Sequence, residues 1–201
     1  MEQGKIVFEG LSRQGKSILI RYIQKNDTEA LCHYINTLSE ERTFVRFQGE
    51  QLTLEEETAY INGQLKRIEN NQTVHLVAFC EGTLVGVAGL DMKDMAEKHV
   101  GGFGISIAKT YRGEGIGSLL MEAVLKEAEA NIPHLRIIML EVFSDNTLAI
   151  AMYKKLGFAE YGRLPKGILH INDYVDTVYM YRKVSYLKRS EGAISDAIPG
   201  S

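Results

Sequence analysis

A glycine-rich hexapeptide, Arg112-Gly113-Glu114-Gly115-Ile116-Gly117, is the segment of this chain with the most direct chemical meaning. Glycine lets consecutive backbone N–H groups converge on one point, because no Cβ stands in the way. An apolar, strand-like run over 103–108 precedes the hexapeptide, and apolar residues at helical spacing follow it. A helix start adds unpaired N–H donors and a partial positive charge. This order predicts an anion site suited to phosphate or pyrophosphate, with Arg112 as an added cation.

The spacing of the hexapeptide differs from the G-x-G-x-x-G of dinucleotide-binding folds, because Ser118 stands where the third glycine belongs. The hexapeptide instead resembles the Arg/Gln-x-x-Gly-x-Gly/Ala pyrophosphate loop of the GNAT superfamily, the acyl-CoA-dependent N-acetyltransferases. Two later segments resemble the same superfamily: 140–146 its fifth strand and the asparagine after it, and 149–158 its fourth helix with a closing Gly-Phe. The resemblance covers roughly residues 17–184, most of the chain.

The resemblance and the hydrophobic periodicity both predict a GNAT-type α/β fold. The sheet is expected to be mixed, mainly antiparallel and of about six to seven strands, with a central splay and helices on both faces. Residues 1–16 are expected to form an N-terminal arm or an extra strand, and 17–184 a single N-acetyltransferase domain. The polar, small-residue-rich segment 185–201 is expected to be a loose C-terminal tail.

The resemblance implies how acetyl-CoA is held. Backbone N–H groups of 113–118 would bind the pyrophosphate, and Arg112 would position this loop or the phosphates. The backbone of the strand before the loop would pair with the pantetheine amides like an added strand. The predicted cofactor-binding residues are Ile105, Ser106, Ile107, Arg112, Gly113, Glu114, Gly115, Ile116, Gly117, Ser118, Asn146 and Tyr153. The Asn146 side chain would cap the next helix, bind the cofactor, or do both.

Tyr153 is the predicted general acid. Amine attack on a thioester ends with expulsion of a thiolate, which a nearby phenol can protonate, and a phenol with an ordinary pKa near 10 keeps its proton at neutral pH. The alternative is a packed aromatic ring whose hydroxyl only contacts the cofactor. The general base stays open between a water relay and several side chains. These candidates are Glu141, His99, Glu40, Glu41 and Glu57. Many relatives carry Glu where this chain has Gly102, so a base at that position is missing.

A second motif, Gly10–Ser17, matches the G-x-x-x-x-G-K-[ST] pattern of nucleotide-binding P-loops. A P-loop needs a helix directly after its serine and an Asp-ended strand that helps to hold Mg²⁺. Here the following residues, Ile18–Ile23, are rich in β-branched side chains and predict a strand. We therefore interpret 10–17 as a polar hairpin loop.

Composition narrows the function classes. The 201-residue chain is 45% hydrophobic with a net charge of −3, so general binding to nucleic acid or anionic membranes is not expected. No apolar run approaches the roughly 20 residues of a membrane span, and no secretory signal is expected. The two cysteines, Cys32 and Cys80, indicate no disulfide framework, so a cytoplasmic protein is expected.

The sequence thus predicts an N-acetyltransferase that transfers an acetyl group from acetyl-CoA, its co-substrate, to a primary amine within a ternary complex. The acceptor would be a small-molecule or peptide amine, and the acidic balance favours a cationic small amine. Thr43–Phe47 is expected to belong to a loop over the acceptor site. No metal is predicted, and a homodimer is suggested by the resemblance alone. The alternatives are a non-catalytic acyl-CoA-binding sensor and, less favoured, a P-loop nucleotide-binding protein.

Overall fold

The computed structural model describes residues 1–184, which contain one eight-stranded sheet and four α-helices. The strands are β1 (Ile6–Leu11), β2 (Ser17–Tyr22), β3 (Thr73–Cys80), β4 (Thr83–Met92), β5 (Val100–Ile107), β6 (Ile137–Phe143), β7 (Ala159–His170) and β8 (Asp173–Lys183). The helices are α1 (Thr28–Glu40), α2 (Leu54–Glu69), α3 (Ile116–Asn131) and α4 (Thr147–Lys155). Strand order is β1-β2-β3-β4-β5-β6-β8-β7. Since β5–β6 is the parallel pair and the other neighbours are antiparallel, the predicted fold class is confirmed.

The sheet has eight strands rather than six to seven, because the N-terminal segment forms a full edge strand. Ile6 pairs with Arg21 and Leu11 with Ser17, so the expected arm or extra strand is a strand. At the other edge, β7 stays paired with β8 up to His170. Residues 185–201, expected to be a loose tail, lie outside the described residues.

The predicted splay lies between β5 and β6. These strands pair at three positions only, the last of which joins Gly102 to Met139. Beyond that point β5 remains paired with β4 as far as Ile107, while β6 remains paired with β8 as far as Phe143. The two halves of the sheet therefore diverge, and backbone groups of 103–107 that face β6 have no partner on that strand.

Helices cover both faces of the sheet. Ile107 approaches Gly117 of α3, whereas the adjacent Ser106 bonds Tyr34 of α1. Because successive strand residues point to opposite faces, α1 and α3 lie on opposite sides of β5. The predicted apolar stripe of α3 forms core, with Leu120, Val124 and Ala128 fully buried.

Local capping signals account for two of the four helix starts. Thr53 and Glu56 form a capping box at the start of α2, and the Asn146 side chain caps α4. Asp27 directly precedes α1, yet its side chain does not cap that helix. Its carboxylate instead accepts two hydrogen bonds from the Arg21 guanidinium at 2.6 and 2.7 Å. Within residues 1–184, no helix combines the length and apolar character that crossing a membrane requires.

Candidate active site

The loop between β5 and α3 forms the predicted anion cradle. Gly113 and Gly115 have φ angles of +82° and +86°, the left-handed region that favours glycine. Gly115 is the N-cap of α3 and provides no side-chain cap. The helical ladder begins with the Leu119 N–H, which donates to the Gly115 carbonyl at 3.2 Å. The N–H groups of 116–118 therefore stand at the helix N-terminus, where an anion can accept from them.

The Arg112 side chain joins the end of β5 to the segment that follows α1. Its Nε donates to the Ile107 carbonyl at 2.8 Å, which ties the loop to the end of β5. Its two terminal nitrogens donate to Thr43 Oγ1 at 3.2 Å and to Glu41 Oε2 at 2.8 Å. These bonds link the loop to β5 and to the segment after α1, while a role of Arg112 in positioning the loop or the phosphates for cofactor binding stays a prediction.

The P-loop-like segment is a β-hairpin loop between β1 and β2. Ser17 begins a strand where a P-loop needs a helix. Within the loop, Ser12 Oγ accepts from the N–H groups of Gln14 and Lys16 at 3.2 and 3.3 Å. Gly15 takes a φ of +78°, as a tight turn requires. The hairpin interpretation is confirmed, and the backbone cradle of a P-loop is absent from 10–17.

The unpaired part of β5 holds the residues predicted to meet the pantetheine arm. Ile105 and Ile107 are partly buried against the core, so their side chains pack while their backbone borders the splay. The Ser106 hydroxyl lies 3.1 Å from the hydroxyl of Tyr34. Burial raises the pKa of Tyr34, so this phenol is neutral. Side-chain packing and backbone pairing with a ligand are thus compatible on this strand.

Tyr153 lies on α4 with only 7% of its surface exposed, and its ring centroid is 6.2 Å from that of Phe158. Burial raises the pKa of its phenol to about 12, so the hydroxyl keeps its proton at every physiological pH. Asn146 Oδ1 accepts from the Ala149 N–H at 3.2 Å, which establishes its capping role. Contacts of Asn146 and Tyr153 with the cofactor stay predictions.

Glu141 is the base candidate that the fold places at the splay. It lies on β6, two residues past the last β5–β6 pair. Its Oε2 accepts from an Arg46 terminal nitrogen at 2.9 Å. Both side chains are accessible, at 50% exposure for Glu141 and 84% for Arg46, so the pair can open at low cost.

The other base candidates are less favourably placed. His99 immediately precedes β5, at the closed end of the splay, where its carbonyl accepts from the N–H groups that begin β6. Glu57 is buried on α2, and burial raises the pKa of its carboxyl. Glu41 is committed to Arg112, and Glu40 is exposed at the end of α1. Glu141 is therefore the carboxylate that combines access with position.

The loop from Glu41 to Thr53 packs against the end of β6 at the open end of the splay, and the position of 43–47 over an acceptor site stays a prediction. Phe44 packs on Phe143 and His170, with ring centroids 5.7 and 5.1 Å apart. The His170 ring also lies 3.4 Å from Asp145 Oδ2. This loop, the end of β6 and the β7–β8 hairpin therefore meet at the open end of the splay.

Sequence reasoning missed Arg13, Tyr34 and His170 as neighbours of the site. Tyr34 and His170 carry no motif, and each reaches the site only through long-range packing. Arg13 belongs to the P-loop-like segment, whose cationic character was visible in the sequence. Its position beside the cradle was not, since 102 sequence positions separate Arg13 from Gly115.

A strand-to-helix anion cradle beside a splayed sheet, with a buried phenol on the following helix, defines an acyl-CoA-dependent acyltransferase fold. Sequence comparison agrees, since the model of the acetyltransferase (GNAT) family matches residues 34–158. The match covers more than half of the chain, which therefore belongs to the GNAT acetyltransferase family.

Individual relatives are similar over part of their length. The L-amino acid N-acetyltransferase AaaT of Escherichia coli is 36% identical over 108 residues, which is 53% of this chain and 66% of that protein. The N-alpha-acetyltransferase RimI of Mycobacterium tuberculosis is 36% identical over 86 residues, 40% of this chain and 49% of that protein. The aligned segments thus span less than two thirds of these curated relatives.

Solved structures share the fold. A GNAT-family acetyltransferase from Streptococcus pneumoniae has a TM-score of 0.77 and 29% identity, over 84% of this chain and 99% of that one. The YncA structure from Salmonella typhimurium, with its cofactor acetyl-CoA, has a TM-score of 0.73 and 15% identity, over 88% of this chain and 99% of that one. At 15% identity, the similarity to the YncA structure shows a shared fold alone.

Proposed function

We propose that this protein transfers the acetyl group of acetyl-CoA to a primary amine by direct attack in a ternary complex. The observation that carries the proposal is the α3 N-terminus at the open end of the splay. It offers backbone donors to a pyrophosphate, and the unpaired edge of β5 offers donors and acceptors to an extended amide-containing arm. The buried phenol of Tyr153 on α4 completes the arrangement.

The proposed chemistry forms one C–N bond and breaks one C–S bond. The amine nitrogen attacks the thioester carbonyl, and the tetrahedral intermediate expels the CoA thiolate. Tyr153 would give its proton to that thiolate as general acid, while Glu141, directly or through water, would take the proton from the amine. The phenol then regains a proton from solvent.

The Arg46–Glu141 pair supports a free amino acid as the first acceptor to test. An amino acid carries an ammonium group and a carboxylate, which complement Glu141 and Arg46 respectively. Both side chains are largely exposed and joined at 2.9 Å, so a zwitterion can replace their mutual contact. Among relatives, AaaT is named as an L-amino acid N-acetyltransferase and RimI as an N-alpha-acetyltransferase.

The activity is tested by thiol release from acetyl-CoA with a panel of L-amino acids, a short peptide with a free N-terminus, and spermidine. Binding is measured separately by thermal stability with acetyl-CoA, CoA and Mg-ATP. A ligand at about 100 times its Kd stabilises the fold by roughly 2.7 kcal/mol. Binding of acetyl-CoA with amine-dependent thiol release supports the proposal. Binding without release from any amine would favour the sensor, and stabilisation by Mg-ATP alone would overturn both.

The acceptor class is tested with Arg46→Ala and a matched pair of amines, phenylalanine and phenethylamine, which differ only in the carboxylate. Loss of one exposed charge-assisted contact should raise the KM for phenylalanine about fivefold. The KM for phenethylamine should stay unchanged, because it has no group for Arg46 to bind. Equal effects on both amines would reject an amino acid acceptor.

A further inference from the structure

We propose that Arg13, in the β1–β2 hairpin loop, is a phosphate-binding residue that completes the acetyl-CoA cradle. The inference rests on the proposed function and adds to it a residue from outside the glycine loop. It also gives the P-loop-like segment a role in anion binding without the P-loop fold.

The hairpin loop is fastened to the cradle through Glu114. Lys16 Nζ lies 2.7 Å from Glu114 Oε1, and the Glu114 side chain is only 5% exposed. The backbone N–H of Arg13 donates to the Glu114 carbonyl at 3.3 Å. Lys16 Nζ also stands 5.3 Å from the centroid of the Tyr111 ring. Two segments far apart in sequence are therefore joined at the residue between the two left-handed glycines.

The Arg13 side chain lies directly on Gly115, the N-cap of α3. A Cβ placed on Gly115 would stand 3.0 Å from Arg13 Nε and 3.1 Å from its Cδ. Absence of a side chain at 115 thus allows both the left-handed turn and the approach of the arginine. The cationic side chain stands at the end of the helix where the backbone already favours an anion.

Arg13 is available for a ligand. The residue is exposed, and within residues 1–184 its guanidinium forms no ion pair with a carboxylate. Arg112 contrasts with it, because its nitrogens donate to Glu41, Thr43 and the Ile107 carbonyl. Near the cradle, Lys16 is likewise occupied by Glu114. Arg13 is therefore the cation beside Gly115 whose donors are uncommitted, and its planar guanidinium suits phosphate oxygens.

The test compares Arg13→Ala, Arg13→Lys and Lys126→Ala by isothermal titration. Lys126→Ala removes an exposed cation from α3 about 15 Å from its N-terminus, so it matches the charge change without touching the cradle. The ligands are acetyl-CoA, acetyl-dephospho-CoA, which lacks the 3′-phosphate, and acetyl-pantetheine, which lacks every phosphate. The expected result is an about tenfold rise in the Kd of acetyl-CoA for Arg13→Ala. Arg13→Lys should recover part of this affinity, and Lys126→Ala should behave as wild type.

The ligand series identifies the phosphate and separates two kinds of failure. Arg13→Ala should leave the Kd of acetyl-pantetheine unchanged, and its effect on acetyl-CoA should shrink as salt rises. An equal loss for acetyl-CoA and its dephospho form would assign Arg13 to the pyrophosphate, while a loss for acetyl-CoA alone would assign it to the 3′-phosphate. The same Kd for Arg13→Ala and Lys126→Ala would overturn the inference. Failure of the wild-type protein to bind acetyl-CoA would instead overturn the proposed function.

Discussion

Replacing Tyr153 with phenylalanine tests the proposed chemistry with little disturbance of the fold. The ring is 7% exposed and packs beside Phe158, and phenylalanine keeps all of that ring. Within residues 1–184 the Tyr153 hydroxyl donates no hydrogen bond that the substitution would break. We therefore expect unfolding free energy to change by less than about 1 kcal/mol, so that any loss of rate reports on chemistry.

The expected loss of rate follows from proton affinities. Burial raises the Tyr153 pKa to about 12, whereas an ordinary thiol titrates near 8.5. Complete transfer from such a phenol to a thiolate in water would be uphill by about 5 kcal/mol, at about 1.36 kcal/mol per pKa unit. A thiolate expelled beside this buried phenol would lose part of its hydration as well, which raises its basicity and narrows the gap in pKa. General-acid catalysis of this kind contributes about 100- to 10,000-fold, and we expect kcat to fall by about 100-fold or more.

The assay is thiol release at saturating acetyl-CoA over pH 7–10, with a thermal melt of each protein. Because the Tyr153 proton is retained up to a pKa of about 12, ionisation of this phenol should cause no alkaline fall in wild-type kcat across that range. The KM for acetyl-CoA should change little in the variant. A Tyr153→Phe enzyme within about threefold of wild-type kcat would refute the general-acid assignment and leave Tyr153 as a packing residue.

Three further changes probe the cradle, the loop over the splay and the core. Gly113→Ala places a Cβ at a φ of +82°, so in a denaturation assay it should destabilise the fold by about 1–2 kcal/mol, and it should also weaken acetyl-CoA binding. The control is Gly63→Ala, where the added Cβ stands in open space on α2, and it should be neutral or stabilising in the same assay. Glu41→Gln weakens the 2.8 Å pair by which Arg112 holds the segment before 43–47, the loop predicted to lie over the acceptor site, so the KM for the amine should rise by about two- to fivefold. An unchanged KM in steady-state kinetics would contradict this role of the pair. Asp27→Ala leaves the nearly buried Arg21 guanidinium without its carboxylate and should lower the free energy of unfolding in urea by about 3–5 kcal/mol. A loss below about 1 kcal/mol would show that solvent replaces the carboxylate.

Much of the fold could be predicted because its signals are local. The capping box at Thr53 and the N-cap at Asn146 place two helix starts within a residue or two. The glycine loop at 112–117 predicts the turn into α3, since left-handed φ angles and a bare helix start are properties of a few consecutive residues. Even the P-loop-like segment could be interpreted correctly, because the β-branched run after Ser17 favours a strand.

The partners of charged and polar side chains could not be predicted in the same way. Asp27 directly precedes α1, yet its carboxylate bonds the Arg21 guanidinium, and Arg112 bonds Glu41 and Thr43, which no sequence motif links to it. Several partners lie within reach of a long side chain, and the choice depends on elements that meet only when the sheet is assembled. The number of strands was also uncertain, because an edge strand such as β1 is specified by pairing with one neighbour.

The sequence by itself determined the motifs that resemble the GNAT family, two of the four helix starts and the phenol at position 153, since each depends on residue type and short-range spacing. Tertiary structure decided what the site contains. In the folded chain the splay begins after Gly102, Arg46 pairs with Glu141, and the Arg13 side chain contacts Gly115. These juxtapositions join residues up to about a hundred positions apart, and they arise because burying the apolar faces of the sheet and helices fixes where their polar ends meet.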